Sequence, residues 1–465
     1  MSDLLSLCEG AARVREGRLL PTDWVDDCLA RIRRLDARLR AWVVVDAAAA
    51  LRTAAGRDEE AARGTFRGPL HGVPLGIKDI IDVAGLPTRA GSPLRKDHVA
   101  EKDALLVTRL REAGAVVLGK TVTVEFACFD PSPTRNPWDP ERRRTPGGSS
   151  SGSAVAVACG MCPGAIGTQT GGSLVRPASY CGIATLKPTF GRVSIEDIVP
   201  VSYHFDHAGP MARRVDDLAV LWQCLRRRPL HRPGGGCAET QGASGDVRPP
   251  RFGWIEAFAE HADATIRHAT DTALARLREG GATLVPVGFP EPLAHIQAQH
   301  RRIMAVEAAA YHRESFAAHR EQYGPMITGL LDEGLGIAGI DYANALAWRR
   351  RFGPRVIELL AECDALIAPS TDTTAPPTLE TTGSNLFQAP FSCAGLPVVS
   401  LPCGLAADGM PAAVQLVGRP DCEDGLLALA RWCEQQFGFA MQNLAPFCEG
   451  FVPIIPIAEQ EAHGL

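Results

Sequence analysis

Apolar residues recur at Trp24, Cys28, Ile32 and Leu35, with Val25 and Leu29 beside them and charged residues between. That spacing predicts an amphipathic helix over residues 22–36, with Thr22 as its N-cap. The alanine-rich stretch from Ala47 to Ala62 predicts a second helix. The pattern then changes in RGPLHGVPLGIKDIIDVAGLPTRAGS, where Gly and Pro punctuate short apolar runs, which reads as strand and turn. A helix over 103–113 leads into a short buried strand from Ala115 to Gly119. The small residues of 149–160 predict a helix closely packed by its neighbours. Pro163 to Thr168 reads as a buried strand, and Gly171-Gly172 opens a turn.

The second half repeats this alternation. Arg251 to Trp254 and Ala282 to Val287 read as strands flanking a helix at 264–279. Residues 300–350 are mostly helical and carry ITGLLDEGLGIAG, whose four glycines suggest a bend or lid. Leu366 to Pro369, VVSLPCG and AAVQLVG read as further core strands, followed by a helix at 422–437. Strands alternating with helices predict an α/β fold. The sharpest change of composition is 229–250, PLHRPGGGCAETQGASGDVRPP, a flexible loop or linker. No internal repeat is visible.

Composition adds limits. The chain has 465 residues, 46% apolar and 22% charged, with a net charge of −5, as expected of a globular protein with a sizeable core. The arginine runs at 142–144 and 226–228 are too short for a nucleic-acid footprint, so no nucleic-acid partner is expected. No run of 18 apolar residues exists, so no membrane span is expected. The first residues, MSDLLSLCEG, lack a basic and an apolar leader region. With fourteen scattered cysteines, that points to a reducing cytoplasm. Cys159 and Cys162 form a CxxC within an apolar stretch and read as buried small side chains.

The candidate chemistry lies in GGSSSGSAVAVACGMCPGAIGTQTGGSLVRPAS, which begins at Gly147, offers several serines and contains no histidine. Gly148 to Gly152 satisfies GxSxG around Ser150, but a nucleophile elbow follows a strand, and PERRRTPG reads as a loop. P-loop and HExxH motifs are absent. His204 and His207 beside Asp206 read as polar loop residues, and no metal is expected. A serine hydroxyl needs a base. Lys78, among Ile77, Ile80 and Ile81, is a candidate, because burial favours the neutral amine; an ordinary lysine paired with Asp79 fits the same spacing. Thr170, Gly171, Gly172 and Ser173 are suited to converge backbone N–H groups on a developing oxyanion.

These residues resemble the amidase signature family of serine hydrolases. The resemblance rests on LHGVPLGIKD at 70–79, TPGGSSSGSAVAVA at 145–158 and GTQTGGSLVRPASYCG at 167–182, followed by LKPTFGRVS. QAPFSCAGLPVVSLPCG and MPAAVQLVGRPDCEDGLL extend it, in family order, over about 60–435. It implies one α/β domain over 1–465, a large mixed, twisted sheet covered by helices on both sides. The N-terminal helices of 1–60 precede the family-like core, and the 229–250 segment becomes an excursion within that domain. It implies Ser173 as nucleophile, Ser149 as the bridging residue after a cis peptide bond, and Lys78 as the terminal base. The oxyanion would be held by main-chain N–H groups of Thr170 to Ser173, with Ser150 as a secondary contact. No cofactor is implied. The substrate would be a small-molecule amide, cleaved to ammonia through an acyl-serine.

The commoner family form, GTDTGGSIR, is departed from at Gln169, which replaces an acid, and at Arg176, three rather than two residues past Ser173. This version resembles malonamidase-like members, in which the corresponding arginine grips a substrate carboxylate. It favours a small amide bearing a carboxylate or other polar group, with Arg176, Ser150 and Gln169 as contacts; Arg176 pairing internally is the competing reading. Other readings are a broad aliphatic or aryl amide hydrolase, the amidase subunit of a tRNA-dependent amidotransferase, and an inactive scaffold. An apolar pocket would draw on Phe126, Phe129, Trp138, Met304 and Tyr311. Small-amide members are often dimers, and the helices of 10–35 offer an apolar face for a homodimer.

Overall fold

Eleven strands hydrogen-bond into one mixed sheet in a computed structural model that describes residues 4–139, 141, 143–227 and 249–439. In chain order they are β1 (Trp42–Val45), β2 (Pro74–Lys78), β3 (Val116–Thr121), β4 (Gly164–Gln169), β5 (Ala184–Lys187) and β6 (His207–Ala212). There follow β7 (Arg251–Ile255), β8 (Thr283–Val287), β9 (Ala365–Pro369), β10 (Val398–Leu405) and β11 (Pro411–Val417). Their spatial order is β1-β3-β2-β4-β6-β5-β10-β11-β9-β7-β8. The pairs β2–β3, β2–β4, β7–β8 and β7–β9 are parallel. The remaining pairs are antiparallel. Every residue of β2, β3, β4, β5, β6, β9 and β11 is buried. This is why these strands read as continuous apolar runs without a solvent-facing alternation.

The expected helices form with small shifts. The first runs Pro21–Leu39, and its N-cap is Leu20 rather than Thr22. Pro21 takes the first helical position, which its fixed φ and missing N–H suit. Thr22 turns its hydroxyl to Asp58 at 2.6 Å. The stretch ITGLLDEGLGIAG holds a bend, as its glycines suggest: helix Pro325–Gly336 runs through the first three of them, and the chain turns at Ile337 and Ala338 before helix Gly339–Glu358 begins. Gly334 lies against the backbone of helix Leu293–His319, where a Cβ would come within 2.0 Å of the Ala305 carbonyl oxygen. The 229–250 segment lies, apart from its last two residues, outside the described residues. Among the described residues no helix is long and apolar enough to cross a membrane. Cys159 and Cys162 are buried, as expected.

Two neighbouring parallel strands carry candidate site residues at their ends. Lys78 is the last residue of β2, and the turn 170–173 follows the end of β4. Both segments therefore open on the same, carboxyl end of the sheet, where open α/β sheets bind ligands. Helix Ser151–Ala158 is buried along its whole length, and its small side chains let it lie directly on β3 and β4. Gly152 makes the closest approach: a Cβ there would stand 2.2 Å from the Ala41 oxygen and 2.3 Å from the Val122 nitrogen. Gly152→Ala is expected to lower the unfolding free energy by about 3 kcal/mol, as overpacking against backbone does. Urea unfolding measures it, and an unchanged midpoint would contradict this contact.

Candidate functional site

Lys78 is fully buried, and its Nζ bonds Ser149 Oγ at 2.6 Å and Thr168 Oγ1 at 2.7 Å. No carboxylate lies within ion-pair distance among the described residues. Burial holds the amine well below its ordinary pKa; the Asp206 charge opposes this weakly and Arg176 adds to it. The competing pairing of Lys78 with Asp79 is not made. Asp79 instead pairs with the buried Lys120 at 3.0 Å, and its N–H bonds the Thr121 oxygen. That pair ties the end of β2 to β3 and turns Lys78 toward β4.

Ser149 follows a cis peptide bond from Gly148. Gly147, at φ +78°, has no room for a side chain beside Pro177. Gly148 is equally confined, because a Cβ would sit 2.7 Å from Thr382 Cγ2. Ser150 is fully buried, takes the Thr168 N–H on its hydroxyl at 3.2 Å and donates its own N–H to the Ser173 carbonyl at 3.3 Å. It joins three segments of the site to one another.

The turn after β4 brings Ser173 to the wall of a cavity of about 370 Å³, open mouth included. Ser149, Thr170, Gly171, Gly172, Ser173 and Arg176 line it, with Val124, Ala127, Cys128, Phe129, Met304, Thr382 and Asn385. The Ser149 and Ser173 hydroxyls share this wall without a direct hydrogen bond. Among the described residues nothing accepts from the N–H groups of Gly171, Gly172 or Ser173. Those donors are available to a ligand in the cavity. A Cβ on Gly171 would meet Asn385 Nδ2 at 2.5 Å, and one on Gly172 would meet Gln388 Oε1 at 2.5 Å.

The turn is held from behind. Thr170 donates its hydroxyl to Asp206 at 2.6 Å, and Asp206 also accepts from the N–H groups of Val201 and Ser202. Burial raises the Asp206 carboxyl to about 6. His300, stacked on Phe205, reaches the Thr170 carbonyl through Nε2 at 3.2 Å. Burial lowers its pKa to about 4, so the ring is a neutral donor. His207 is buried against Lys187, and His204 bonds Glu307. Among the described residues no group of histidines, cysteines and acids could hold a metal.

Several expected substrate contacts sit elsewhere. Gln169 does not line the cavity. Its Oε1 accepts from the N–H groups of Leu174 and Val175 at 3.0 and 3.1 Å, and its Nε2 reaches Ser392. A neutral amide here caps helix Val175–Cys181 and also donates, which a carboxylate could not do. Ser150 likewise faces protein on all sides. Of the apolar candidates, Phe129 and Met304 reach the cavity. Phe126 packs on His312 and Tyr323, Tyr311 packs on His312, and Trp138 donates to the Cys181 carbonyl. Sequence reading missed Thr168, the second partner of Lys78. The signal was available: β2 and β4 both read as buried strands ending at candidate residues.

Arg176 is buried and lines the cavity. Its Nη1 donates to the Gly383 carbonyl at 2.8 Å, and Nη2 donates to Gly148 O at 2.8 Å and Thr382 Oγ1 at 3.1 Å. Among the described residues no ion pair neutralises it, and burial lowers its pKa to about 10.

A family model described as Amidase matches residues 23–427. The chain is 35% identical over 459 residues to AmiD, a candidate amidase of Mycobacterium tuberculosis, covering 93% of this chain and 94% of that protein. It is 34% identical over 473 residues to a glutamyl-tRNA(Gln) amidotransferase subunit from Chloroflexus aggregans, covering 92% and 96%. Among solved structures it is similar to native peptide amidase from Stenotrophomonas maltophilia, with a TM-score of 0.77 and 33% identity over 93% of this chain and 97% of that one.

Gln169→Leu is expected to cost about 1–3 kcal/mol of stability, because two helix N–H groups lose their acceptor. It should lower kcat on every amide alike and leave the ratios between substrates unchanged. A loss confined to one substrate class would instead mark Gln169 as a substrate contact.

Proposed function

The chain belongs to the amidase signature family and is a carbon–nitrogen hydrolase; from that premise we propose that it cleaves small polar amides to ammonia through an acyl intermediate on Ser173. The observation that carries this reading is the buried Lys78 amine bonded to Ser149 Oγ beside a turn with free N–H groups. Neutral Lys78 accepts a proton from Ser149, which accepts one from Ser173 as Ser173 Oγ attacks the amide carbon. The carbonyl oxygen becomes an oxyanion held by the N–H groups of Gly171, Gly172 and Ser173. As the C–N bond breaks, the proton returns through Ser149 to the leaving nitrogen. Water then attacks the ester by the same relay, releasing the acid and restoring Ser173. The Ser149–Ser173 hydrogen bond forms when substrate fills the cavity, as catalytic contacts tighten in the Michaelis complex.

Arg176 holds the Gly148 carbonyl, and with it the peptide that aims Ser149. One observation favours a second role. A buried guanidinium that no carboxylate neutralises would welcome a substrate carboxylate at its remaining Nη1 hydrogen. The amidotransferase relative adds glutamine to the substrates worth testing, with ammonia passed to a partner protein in that case. The cytoplasm is the compartment this reading expects; the homodimer face expected on the helices of 10–35 is not free, because Trp24, Val25, Cys28, Leu29, Ile32 and Leu35 are buried in the chain's own core.

Ammonia release from malonamate, malonamide, biuret, glutamine, indoleacetamide and a simple aliphatic amide tests the reading. Ser173→Ala should abolish release from all of them while retaining the fold; residual turnover would sink the mechanism. If Arg176→Ala selectively erases turnover of the carboxylate-bearing amides, malonamate and glutamine, it grips a carboxylate, whereas an equal loss on all substrates makes it a clamp.

A pH profile checks the base. Lysine with a lowered pKa works only when neutral, so kcat/KM should rise with pH through that lowered value, well below the ordinary lysine value of about 10.4. The same shift makes the unfolded chain bind more protons. Its contribution to stability therefore increases as pH rises from the lowered pKa to the ordinary one. A rising limb at the ordinary lysine pKa would contradict a neutral amine.

A further inference from the structure

Asn385 lies over the turn that presents the free N–H groups. Its Cβ is 3.3 Å from where a Gly172 Cβ would stand, and its Nδ2 is 2.5 Å from where a Gly171 Cβ would stand. Gln297, on helix Leu293–His319, donates Nε2–H to Asn385 Oδ1 at 3.0 Å. That bond fixes which way the amide faces, since the oxygen is occupied by a donor and the nitrogen must point away from it. Asn385 is partly exposed and lines the cavity, and among the described residues Nδ2 donates to nothing. Its backbone carbonyl accepts from Gln388 and Ala389, so the loop's conformation does not depend on the side-chain amide.

An oriented donor beside an oxyanion turn selects for what it faces. We infer that Asn385, held by Gln297, is a specificity-determining donor that selects amides carrying an oxygen acceptor in their acyl portion. The inference rests on Ser173 being the residue acylated in this cavity. The recognised group is neutral or anionic, a carbonyl, hydroxyl or carboxylate oxygen. An ammonium group at that place would meet a donor and be refused. Met304 and Phe129 line the same cavity and supply its apolar surface, so chain length alone would be tolerated.

The test uses pairs of amides matched in shape: acetoacetamide against isovaleramide, and N-acetylglycinamide against isocaproamide. The wild type should prefer the acceptor-bearing member by about tenfold or more in kcat/KM, the worth of one well-made hydrogen bond in a site that otherwise leaves a donor unpaired. Asn385→Asp keeps an oxygen for Gln297 and replaces the donor by an acceptor. It should bring both ratios to about one and raise turnover of β-alaninamide. Gln297→Leu frees the amide to turn and should narrow the ratios without reversing them; it carries the test if Asn385→Asp does not fold. Equal cleavage of both members by the wild type, or equal loss on both in the variants, would overturn the inference. Ser173→Ala separates the two levels: cleavage that survives it overturns the mechanism and the inference with it, whereas cleavage lost in Ser173→Ala together with equal wild-type rates on both members overturns the role of Asn385 alone.

Discussion

A lysine amine, fully buried and bonded to two hydroxyls with no carboxylate beside it, sets the terms for the rest of the site. Burying a cation is costly, and burial holds this amine well below its ordinary pKa. Two other lysines show the alternatives. Lys120 is equally buried but faces Asp79 at 3.0 Å, an ion pair that fastens β2 to β3. Lys187 donates to the carbonyls of Pro188 and Leu396 and to His207, and burial lowers it to about 7. Only Lys78 has its nitrogen against a serine that lines the cavity.

Everything near that nitrogen is fixed by backbone packing. Parallel pairing of β2 with β3 and β4 sets Lys78 against Thr168. Gly152 lets helix Ser151–Ala158 lie close enough for Ser149 and Ser150 to reach both strands. Arg176 grips the Gly148 carbonyl, and Gln169 caps the helix that follows Ser173. Behind the turn Asp206 and His300 hold Thr170, and Ser392 holds the Gly171 carbonyl, which keeps the turn in place beside the cavity. In the proposed mechanism such a site would work through pre-organised donors and a neutral base.

Much of this was legible in the chain. The strands of VPLGIK and PGAIGTQ, the small-residue helix and the TGGS turn all follow from local pattern, because buried parallel strands and close-packed helices leave strong compositional marks. The three residues proposed for the relay could be picked out because their motifs are specific, and the fold brings Ser149 against Lys78 and sets Ser149 and Ser173 on one cavity wall. What pattern could not supply was direction. Gln169 and Ser150 lie in the same motifs as Ser173, yet their side chains face protein, and only the fold shows which face is turned. Asn385 carries no local signal, since an asparagine in a loop is ordinary until distant segments meet. The glycines of ITGLLDEGLGIAG have separate causes: Gly336 and Gly339 flank the bend that the stretch suggests, whereas at Gly334 a close helix contact calls for the missing side chain.

Labelling with a fluorophosphonate probe, followed by peptide mapping at neutral pH, tests most directly whether a neutral Lys78 activates Ser173. The adduct should form on Ser173 alone in the wild type and vanish in Lys78→Met, although Ser173 is still present. An adduct on Ser149, Ser150 or Cys128, or labelling of Ser173 that proceeds equally well without the lysine, would contradict it.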